Sequence, residues 1–582
     1  MTEKITKLMR DIPAVRWTAL VFLAFAMFCS YIFMDILSPV KDILESTRGW
    51  SSTAFGIYAG SETFLNVFIF FLIFAGIILD KMGVRFTAIL SGLIMLVGAL
   101  INWYAITTYF QGTGLENWFN LNLNYIPGFD ELGIAPFFGE RMVVLIDGIE
   151  KTIRPIHFQE GMIIKEVLAA MPASAKLSSV GFMIFGCGVE MAGITVSRGI
   201  VKWFRGKEMA LAMGSEMALA RLGVATCMIF SPLIARARIF GSVDVSHSVA
   251  FGVILLMIAL IMFFAYFFMD KKLDAQTGEA EEKDDPFKIS DIGKIFSSLG
   301  FWLVALLCVL YYSAIFPFQK YAVNMLQCNL TFTEVAEGSF WASNTVTYIQ
   351  YVVMLVVAAT AFLSNFCKKR TQYTLLTIAV IFLVTFCIMG YMRQSAETIF
   401  AVFPLLAVGI TPILGKYVDT KGKAASMLML GSILLIVCHL TFAFVLPIFK
   451  GSAISGVIVA YITILVLGSS FSLVPASLWP SVPKLVDSKV IGSAYALIFW
   501  IQNIGLWLFP LLIGKILDAS NPNIHQALKE GTMSPEIAAI SYNYTNPMIM
   551  FACLGVAALI FGFVLKGVDK KKRLGLELPN IK

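Results

Sequence analysis

The chain has 582 residues, of which 58% are hydrophobic and only 14% are charged, and its formal net charge is +7. This composition excludes an ordinary soluble domain, in which about 25% of residues are charged, and favours a protein that crosses a membrane many times. The basic excess does not indicate a nucleic-acid partner, because the lysines and arginines fall mainly in short loops between apolar stretches.

Fourteen apolar stretches are long enough to cross a bilayer, which takes about 20 residues each. The polar start of the chain lacks the pattern of a cleavable signal, so the first stretch is expected to be a retained span. An even number of crossings places both termini on the same side. The predicted spans lie near 15–40, 53–79, 86–106, on either side of a basic hinge at 202–207, and near 249–269, 301–325, 341–364, 372–392, 396–416, 424–447, 454–476, 491–514 and 547–566.

The distribution of basic residues orients these spans, since short cytoplasmic loops carry an excess of Lys and Arg. Arg236 and Arg238, which follow the fifth span, are exceptions to the pattern. The summed bias nevertheless places both termini in the cytoplasm. The residues that carry it are Lys4, Lys7, Arg10, Arg16, Lys81, Arg85, the basic hinge, Lys368, Lys369, Arg370, Lys416, Lys421, Lys423 and the terminal Lys570, Lys571, Lys572 and Arg573.

Two polar segments interrupt the spans. Residues 108–175 face outward, and the alternating apolar residues of MVVLIDGIEKTI around Asp147-Gly148 predict a β-hairpin. This insertion is either a small external domain that binds an unknown partner or a structured loop without that role. The charged connector at about 271–297 contains most of the stretch DKKLDAQTGEAEEKDDPFK (270–288), whose composition is that of a solvated, flexible cytoplasmic linker.

Two ionisable residues lie deep in the spans that flank the basic hinge. At about 1.5 Å per residue, Glu190 lies about 18 Å above the hinge and Arg221 about 21 Å above it. Both are therefore near the middle of a hydrocarbon core about 30 Å thick. A charge at that depth is costly unless it faces a partner or a watery cavity. We expect the two residues to pair inside a central cavity; the alternative is a buried salt bridge that only fixes helix packing.

A short loop motif occurs twice, after the second and the tenth predicted spans. Each copy has a glycine, an aspartate four residues later, and then a glycine and a base. Glycine permits close helix approach, the aspartate can cap a helix or pair with a base, and the base stays near the headgroups. Such a cluster can latch helices in one state and release them in another. The residues are Gly76, Asp80, Gly83 and Arg85 in the first copy, and Gly415, Asp419, Gly422 and Lys423 in the second.

This repeated loop resembles the signature loop of the major facilitator superfamily, which recurs once in each six-helix half. The resemblance implies an all-α polytopic membrane protein with the major facilitator fold, built from two six-helix bundles and an inserted two-helix hairpin, about 14 transmembrane helices in all. The implied division is an N-terminal bundle at 1–270, a C-terminal bundle at 298–568, the hairpin at 341–392 and a cytoplasmic tail at 569–582.

Further stretches resemble the lysosomal dipeptide transporter branch of that superfamily and its prokaryotic relatives. They are KWFRGKEMALAMGSEMALARLG, YYSAIFPF, SLWPSVPKLV and IGSAYALIFWIQNIGLWL. The branch also has an aromatic–acid pattern in its first helix, matched by Tyr31 and Asp35. Its acid in helix four and arginine in helix five match Glu190 and Arg221. The chain departs from the branch in its external insertion and in Glu216, which replaces a neutral amide.

Other polar residues within spans are candidates for the same cavity. Gln502 and Asn503 would bond a peptide amide or serve interhelical packing. Tyr311 and Tyr312 would line the cavity or pack. Glu62 and Glu216 are candidate proton-coupling residues, because a buried carboxyl group without a partner favours its protonated form. Asp35 is expected at the outer end of its span, in solvent. The sequence from Trp479 to Pro483 breaks a helix, either as a gate hinge or as a static kink.

These features favour a secondary transporter of a small zwitterion, with a dipeptide as its substrate, in the bilayer of the cell (inner) membrane. Two alternatives stay open: an organic-anion transporter or exchanger, and a non-transporting receptor that uses the 108–175 insertion. No nucleotide-binding loop, Ser/His set or Cys/His cluster is evident, so we expect neither an enzyme nor a cofactor or metal site.

Overall fold

The computed structural model describes residues 8–120, 142–146, 149–153, 171–204, 207–237, 241–277, 293, 295–332, 335–336, 338–485 and 491–579. Within these ranges, thirteen helical stretches are long and apolar enough to cross a membrane. The protein is thus an all-α polytopic membrane protein with the helical architecture that the apolar spans predicted. The helices form two halves, which meet around a central cavity.

The first half contains eight helices within the described residues. The residues of its longest helices are almost all apolar, and short turns separate these helices from their neighbours. The helices are α1 (Pro13–Met34), α2 (Lys41–Arg48), α3 (Ser52–Phe68), α4 (Phe71–Ile106), α5 (Gly114–Asn120), α6 (Ala173–Phe204), α7 (Met209–Ala235) and α8 (Val245–Thr277), of which α5 lies in the external insertion.

The second half follows after the connector. One of its helices continues as a π-helical turn at Thr441–Val445, and another ends in a 3-10 turn at Trp479–Lys484. That second turn is the predicted helix break at Trp479. The helices are α9 (Leu299–Asn329), α10 (Asn344–Ser364), α11 (Lys369–Met392), α12 (Ala396–Lys421), α13 (Ala424–Leu440), α14 (Ala453–Leu478), α15 (Ile491–Ser520), α16 (Pro522–Lys529), α17 (Pro535–Ala539) and α18 (Thr545–Lys572).

The second predicted span, 53–79, is not one continuous helix. It is divided between α3 and the beginning of α4, where Phe70 adopts a left-handed conformation with φ 56°. Helix α4 then turns at Gly83, whose φ of 79° and ψ of 167° are not helical. The loop that the first motif predicted is therefore a sharp turn at a glycine, a residue that enters this region without a Cβ clash. The count of fourteen spans stays a prediction.

The external insertion contains the predicted β-hairpin. Strands β1 (Met142–Ile146) and β2 (Ile149–Ile153) pair antiparallel, and Ile146 lies opposite Ile149. This register leaves two residues for the turn, as the Asp-Gly pair of the sequence predicted. Most of the remaining insertion, 121–141 and 154–170, lies outside the described residues.

The connector begins later than the sequence predicted. Helix α8 continues to Thr277, and Asp274 forms ion pairs with Arg85 and Lys202. The start of the 271–297 connector is therefore ordered helix rather than solvated linker, because its acidic residues meet the bases of neighbouring helices. Residues 278–292 lie outside the described residues.

The two halves make their closest contact between α3 and α15. A Cβ added to Gly56 would lie 2.1 Å from the carbonyl oxygen of Pro510, and one added to Gly60 would lie 2.4 Å from that of Trp507. Only glycine fits at these positions, so the backbones of the two helices nearly touch. A second contact between the halves is formed by α7 and α12.

The inserted helices α10 and α11 pack against each other, and α10 also lies against α12. Tyr351 of α10 reaches the first half, where its ring meets Phe230 at 4.8 Å in an edge-to-face arrangement and its hydroxyl lies 3.4 Å from that of Thr226. The inserted pair is thus attached to the second half and reaches the first through Tyr351.

The two ends of the described chain lie on one side of the bundle, which we call the termini face. Met9 donates its backbone N–H to Gln276 at the end of α8, and Ser298 beside α9 bonds Leu485, whose neighbour Lys484 reaches the carbonyl of Gly575. The opposite side, the far face, carries the loops between α1 and α3 and the end of α9. Here Lys41 bonds Asn324 across the two halves at 3.1 Å.

Candidate functional site

A cavity of about 550 Å³ lies between the halves. This volume falls in the range of about 300–1,000 Å³ typical of small-molecule sites. Helices α1, α3, α6 and α7 of the first half and α9 and α15 of the second contribute most of its wall. Its lining includes Tyr31, Asp35, Glu62, Glu190, Glu216, Arg221, Tyr312, Gln319, Lys320, Trp479 and Gln502.

Glu190 and Arg221 both line this cavity, as their equal depth predicted. The neutral partner of Glu190 is Asn503, whose amide nitrogen lies 3.4 Å from Oε1 of the carboxylate. Asn503 is 2% exposed and stands behind Glu190 rather than in the lining. Asn503 therefore orients the carboxylate of Glu190 from outside the cavity lining.

The guanidinium of Arg221 lies among aromatic rings. Its central carbon is 5.0 Å from the ring of Phe471, 5.3 Å from that of Phe316 and 5.6 Å from that of Tyr31. The faces of aromatic rings attract cations, and this attraction strengthens when water is excluded. Three rings thus hold the arginine without neutralising its charge.

The expected ion pair between Glu190 and Arg221 is wrong for this structure. Within the described residues, Glu190 contacts Asn503, whereas Arg221 contacts aromatic rings. Equal height in the membrane places two side chains in the same layer, but it does not bring them within contact distance across a cavity. Both charges therefore face the cavity separately.

The ion pair that the structure does contain joins Lys320 of α9 to Asp35 at the end of α1, with an N–O distance of 2.9 Å. Glu62 of α3 lies 3.9 Å from the same ammonium. Asp35 is 1% exposed, so the expectation that solvent surrounds it is wrong. Sequence analysis missed Lys320, although a lone lysine within a predicted span is itself a signal of function.

The two predicted tyrosines differ in their surroundings. Tyr312 lines the cavity, where its hydroxyl accepts the indole N–H of Trp479 at 3.2 Å. Tyr311 lies outside the lining and is buried, and its hydroxyl donates to the backbone oxygen of Ser470 at 2.7 Å. The expectation that Tyr311 lines the cavity is therefore wrong, since a helix shows consecutive residues on different faces.

Gln502, Glu62 and Glu216 complete the predicted cavity set. Gln502 lines the cavity and accepts a contact from the thiol of Cys308 at 3.3 Å. Glu216 lines it from α7, five residues before Arg221. Glu62 approaches Lys320 at a distance too long for a hydrogen bond. The two carboxyl groups proposed for proton coupling thus lie in the same cavity as Glu190 and Arg221.

The first loop motif forms an ionic cluster at the termini face. Asp80 pairs with Arg198 of α6, and Arg85 pairs with Asp274 of α8 at 3.0 Å. Lys202 adds a 2.6 Å contact to Asp270, which also accepts the indole N–H of Trp203 at 2.9 Å. Asp80 thus pairs with a base, which is one of the two roles that the sequence predicted, and its role in gating stays a prediction.

Arg198 and Asp270 were not predicted, because their spacing from the motif gives no local signal: they come from helices more than a hundred residues further along the chain.

The second motif copy has a different arrangement. Gly422 ends α12 with φ 73°, and a Cβ there would lie 2.4 Å from the carbonyl oxygen of Glu577. Lys423 continues the turn with φ 65° and donates its backbone N–H to Glu577. At Gly76 and Gly415, an added Cβ would meet nothing within 4 Å. The expectation that these two glycines permit close helix approach is therefore wrong in this state.

Solved structures of similar shape are transporters. A mutant of the nucleoside transporter NupG superposes with a TM-score of 0.56 over 94% of this chain and 98% of its own, at 12% identity. The D-xylose–proton symporter gives a TM-score of 0.52 over 94% and 97%, also at 12% identity. A structure described as giving insights into substrate recognition in proton-dependent oligopeptide transporters gives 0.52 over 95% and 99%, at 11% identity. At these identities the likeness concerns the fold, which is that of the major facilitator transporters.

Among characterised proteins, the chain resembles lysosomal dipeptide transporters named MFSD1. The protein of Bos taurus is 25% identical over 350 residues, 59% of either chain. The protein of Danio rerio is 25% identical over 411 residues, 69% of this chain and 70% of its own. The human protein is 24% identical over 351 residues, 59% of this chain and 60% of its own. The matched region thus spans about three fifths of the cattle and human relatives. No family model matches the chain.

Proposed function

We propose that the protein is a secondary transporter that moves dipeptides by alternating access. The observation that carries this proposal is that Glu190 and Arg221 line one cavity between the halves and are not paired with each other. Two opposite charges held apart in a partly desolvated site are suited to a solute that carries both signs. The names of the sequence relatives support a dipeptide as that solute.

In this proposal, Arg221 binds the substrate carboxylate and Glu190 binds its α-ammonium group. The ends of an extended dipeptide are about 7 Å apart, at about 3.3–3.6 Å per residue. Such a molecule is suited to contacting two opposite charges that do not touch each other. Gln502 offers an amide for the peptide bond, and Tyr31 and Tyr312 provide wall surface.

The charges of the cavity wall argue against the organic-anion alternative. Its lining contains four acids and two bases, namely Asp35, Glu62, Glu190 and Glu216 against Arg221 and Lys320. Asp35 balances Lys320 and Glu190 balances Arg221, so no base of the wall is left over for an anionic solute even when Glu62 and Glu216 are protonated. A receptor that senses a ligand through the 108–175 insertion is a further alternative, and a lack of transport despite dipeptide binding would favour it.

Alternating access requires the halves to close one side of the cavity at a time. The contacts between the halves on the far face, such as Lys41 with Asn324 and Tyr321 with Ser52, support a state that is closed there. We propose that the termini face is cytoplasmic and that the membrane is the cell (inner) membrane. The proposed division into bundles at 1–270 and 298–568 follows the two halves.

Binding to purified protein tests the proposal. The thermal shift produced by a dipeptide is compared with that of its N-acetylated form, for the wild type and for Glu190→Gln. We expect the wild type to prefer the free amine by at least tenfold in affinity and Glu190→Gln to lose that preference. Glu216→Gln, which neutralises another cavity carboxyl group, is the matched control and should keep it.

Two outcomes would overturn the assignment. Equal binding of both ligands by the wild type would mean that the cavity does not distinguish a free amine from an acetylated one. Loss of the preference in Glu216→Gln alone would place the ammonium subsite at that residue instead.

A further inference from the structure

The two halves contribute different chemistry to the cavity wall. Of the six charged residues in the lining, five belong to the first half, whereas four of the five aromatic residues belong to the second. These four are Tyr312 and Phe316 of α9, Trp479 directly after α14, and Phe499 of α15. We call this aromatic surface of the second half the ring wall.

The four rings of the ring wall contact one another in sequence. Phe316 and Tyr312 are stacked with their centroids 5.4 Å apart, and Tyr312 meets Trp479 edge to face at 6.3 Å. Trp479 is in turn stacked on Phe499 at 4.8 Å. Aromatic pairs attract each other at centroid distances of about 4.5–7 Å. The rings therefore form one continuous surface along the cavity.

Trp479 is held in this surface by two hydrogen bonds. Its indole N–H donates to the hydroxyl of Tyr312 at 3.2 Å, and its backbone oxygen accepts from the hydroxyl of Tyr495 at 3.0 Å. Trp479 begins the 3-10 turn that follows α14, so the predicted helix break is the point at which the chain supplies this ring. Because the indole N–H already has a partner, the ring can be covered by an apolar group at no cost to a hydrogen bond.

Part of the ring wall is uncovered, and the opposite wall leaves room beside it. Phe499 is 37% exposed, and Phe316 and Trp479 are only partly buried. On the first half, the lining includes Gly193, where an added Cβ would meet nothing within 4 Å. Apolar surface of this kind gains from being covered by an apolar group of a ligand.

The ring wall begins at Arg221. The ring of Phe316 lies 5.3 Å from the central carbon of the Arg221 guanidinium, and the other three rings continue from Phe316. A ligand carboxylate bound to Arg221 therefore places the neighbouring part of the ligand at the ring wall. In a dipeptide this part is the side chain of the C-terminal residue, since the N-terminal side chain lies roughly 3.3–3.6 Å further along the chain.

We propose that the ring wall is a side-chain subsite of the cavity, and that it selects dipeptides whose C-terminal residue is aromatic. This inference rests on the proposed function, in which Arg221 binds the substrate carboxylate. An aromatic side chain in this subsite leaves water and pairs with the rings of the wall, and both effects favour binding.

Titration calorimetry on the purified wild type tests the subsite with three ligands: alanyl-alanine, alanyl-phenylalanine and phenylalanyl-alanine. We expect alanyl-phenylalanine to bind about tenfold more tightly than alanyl-alanine. Phenylalanyl-alanine should stay within about threefold of alanyl-alanine, because its ring is attached to the other residue. The heat-capacity change on binding should be most negative for alanyl-phenylalanine, as expected when apolar surface is buried.

A variant of the ring wall separates the subsite from a packing role. Phe499→Ala should lower the preference for alanyl-phenylalanine over alanyl-alanine by about threefold or more. Leu506→Ala is the matched control, since Leu506 lies two turns further along α15 and lines the cavity outside the ring wall. Tyr312→Phe keeps its ring, so both Leu506→Ala and Tyr312→Phe should retain the preference. If the rings serve only packing, Phe499→Ala should change the affinities of all three ligands by the same factor.

The outcomes distinguish the subsite from the proposed function. Equal affinities of the wild type for alanyl-alanine and alanyl-phenylalanine would overturn the subsite and leave dipeptide binding in place. A preference for phenylalanyl-alanine would overturn its assignment to the C-terminal residue. Failure of all three ligands to bind would overturn the proposed function and the subsite with it. If Phe499→Ala does not fold, the comparison of the three ligands on the wild type decides the matter.

Discussion

Arg236, at the end of α7, and Glu397, at the beginning of α12, form an ion pair with an N–O distance of 2.8 Å that joins the two halves on the far face. Arg236 also contacts Asp42 at 3.2 Å. Arginine favours the negative end of a helix dipole and glutamate the positive end, so the helix ends strengthen the pair. The arginine that departed from the charge bias of the loops is thus part of a contact between the halves.

Breaking this pair should shift the protein toward an open far face. Glu397→Gln keeps the shape of the side chain but removes its charge. We therefore expect a cysteine introduced at Met34, in the cavity wall at the far-face end of α1, to be labelled several-fold faster. The matched control is Asp244→Asn, which breaks a far-face ion pair with Arg48 that lies within the first half. Equal effects of the two substitutions would mean that Arg236 does not hold the halves together.

Asp80 should control the rate of switching rather than binding. It pairs with Arg198 in the cluster at the termini face and does not line the cavity. We expect Asp80→Asn to slow dipeptide uptake into proteoliposomes at least tenfold while leaving equilibrium affinity within about threefold. Asp11→Asn removes an exposed pair with Lys207 on the same face and serves as the control. A complete loss of binding by folded Asp80→Asn would contradict this role.

Glu190 and Arg221 should be energetically independent in the empty protein. Paired charges would couple by more than about 1 kcal/mol, whereas separate residues add within about 0.5 kcal/mol. A double-mutant cycle with Glu190→Gln and Arg221→Met, read from unfolding in detergent, should therefore give a coupling near zero. The same cycle for dipeptide binding should not be additive, because one ligand contacts both residues in the proposed site. A strong coupling in the empty protein would indicate a direct ion pair.

Two glycines of the second motif copy should respond oppositely to alanine. Gly422 has a positive φ, and its added Cβ would meet the backbone of Glu577, so Gly422→Ala should cost about 1–3 kcal/mol of folding free energy. Gly415 is helical with open space around it, so Gly415→Ala should be neutral or stabilise by about 0.5–1 kcal/mol. Thermal unfolding of both variants is the measurement, and a large loss at Gly415 would reveal a contact made in another state.

His525 should make the stability of the far face dependent on pH. Its contact with Asp518, at 3.4 Å, raises the pKa of the imidazole above its ordinary value of 6.5. Because the folded pKa is the higher one, the stabilisation is present below about pH 6.5 and is lost as the pH rises through the folded value. Asp518 also accepts the backbone N–H of Thr53 from the other half at 2.7 Å.

The difference in Tm between the wild type and His525→Gln should therefore be larger at about pH 5.5 than at about pH 8.5. His247→Gln, at another far-face histidine, is the comparison. A difference that is constant with pH would show that the contact with Asp518 carries no charge.

The sequence alone determined the features that depend on local composition. In a bilayer, the backbone N–H and C=O groups of an apolar stretch of about 20 residues find their hydrogen-bond partners within a helix. The class of protein and most helix positions therefore followed directly from the sequence. The Asp-Gly turn specified the hairpin of β1 and β2, and the glycine of the first motif specified the turn at Gly83. The depth of Glu190 and Arg221 followed from helix rise, and the structure places both in the predicted cavity.

The tertiary structure decided which charges meet. Rise along a helix gives the height of a residue but not the direction of its side chain or the width of a cavity, so Glu190 and Arg221 share a layer without pairing. The partners of Lys320 are separated from it by more than 250 residues of sequence, and only the packing of α1 and α3 against α9 brings them within reach. Ionic contacts between distant helices have no local pattern, because they are set by the packing of whole helices.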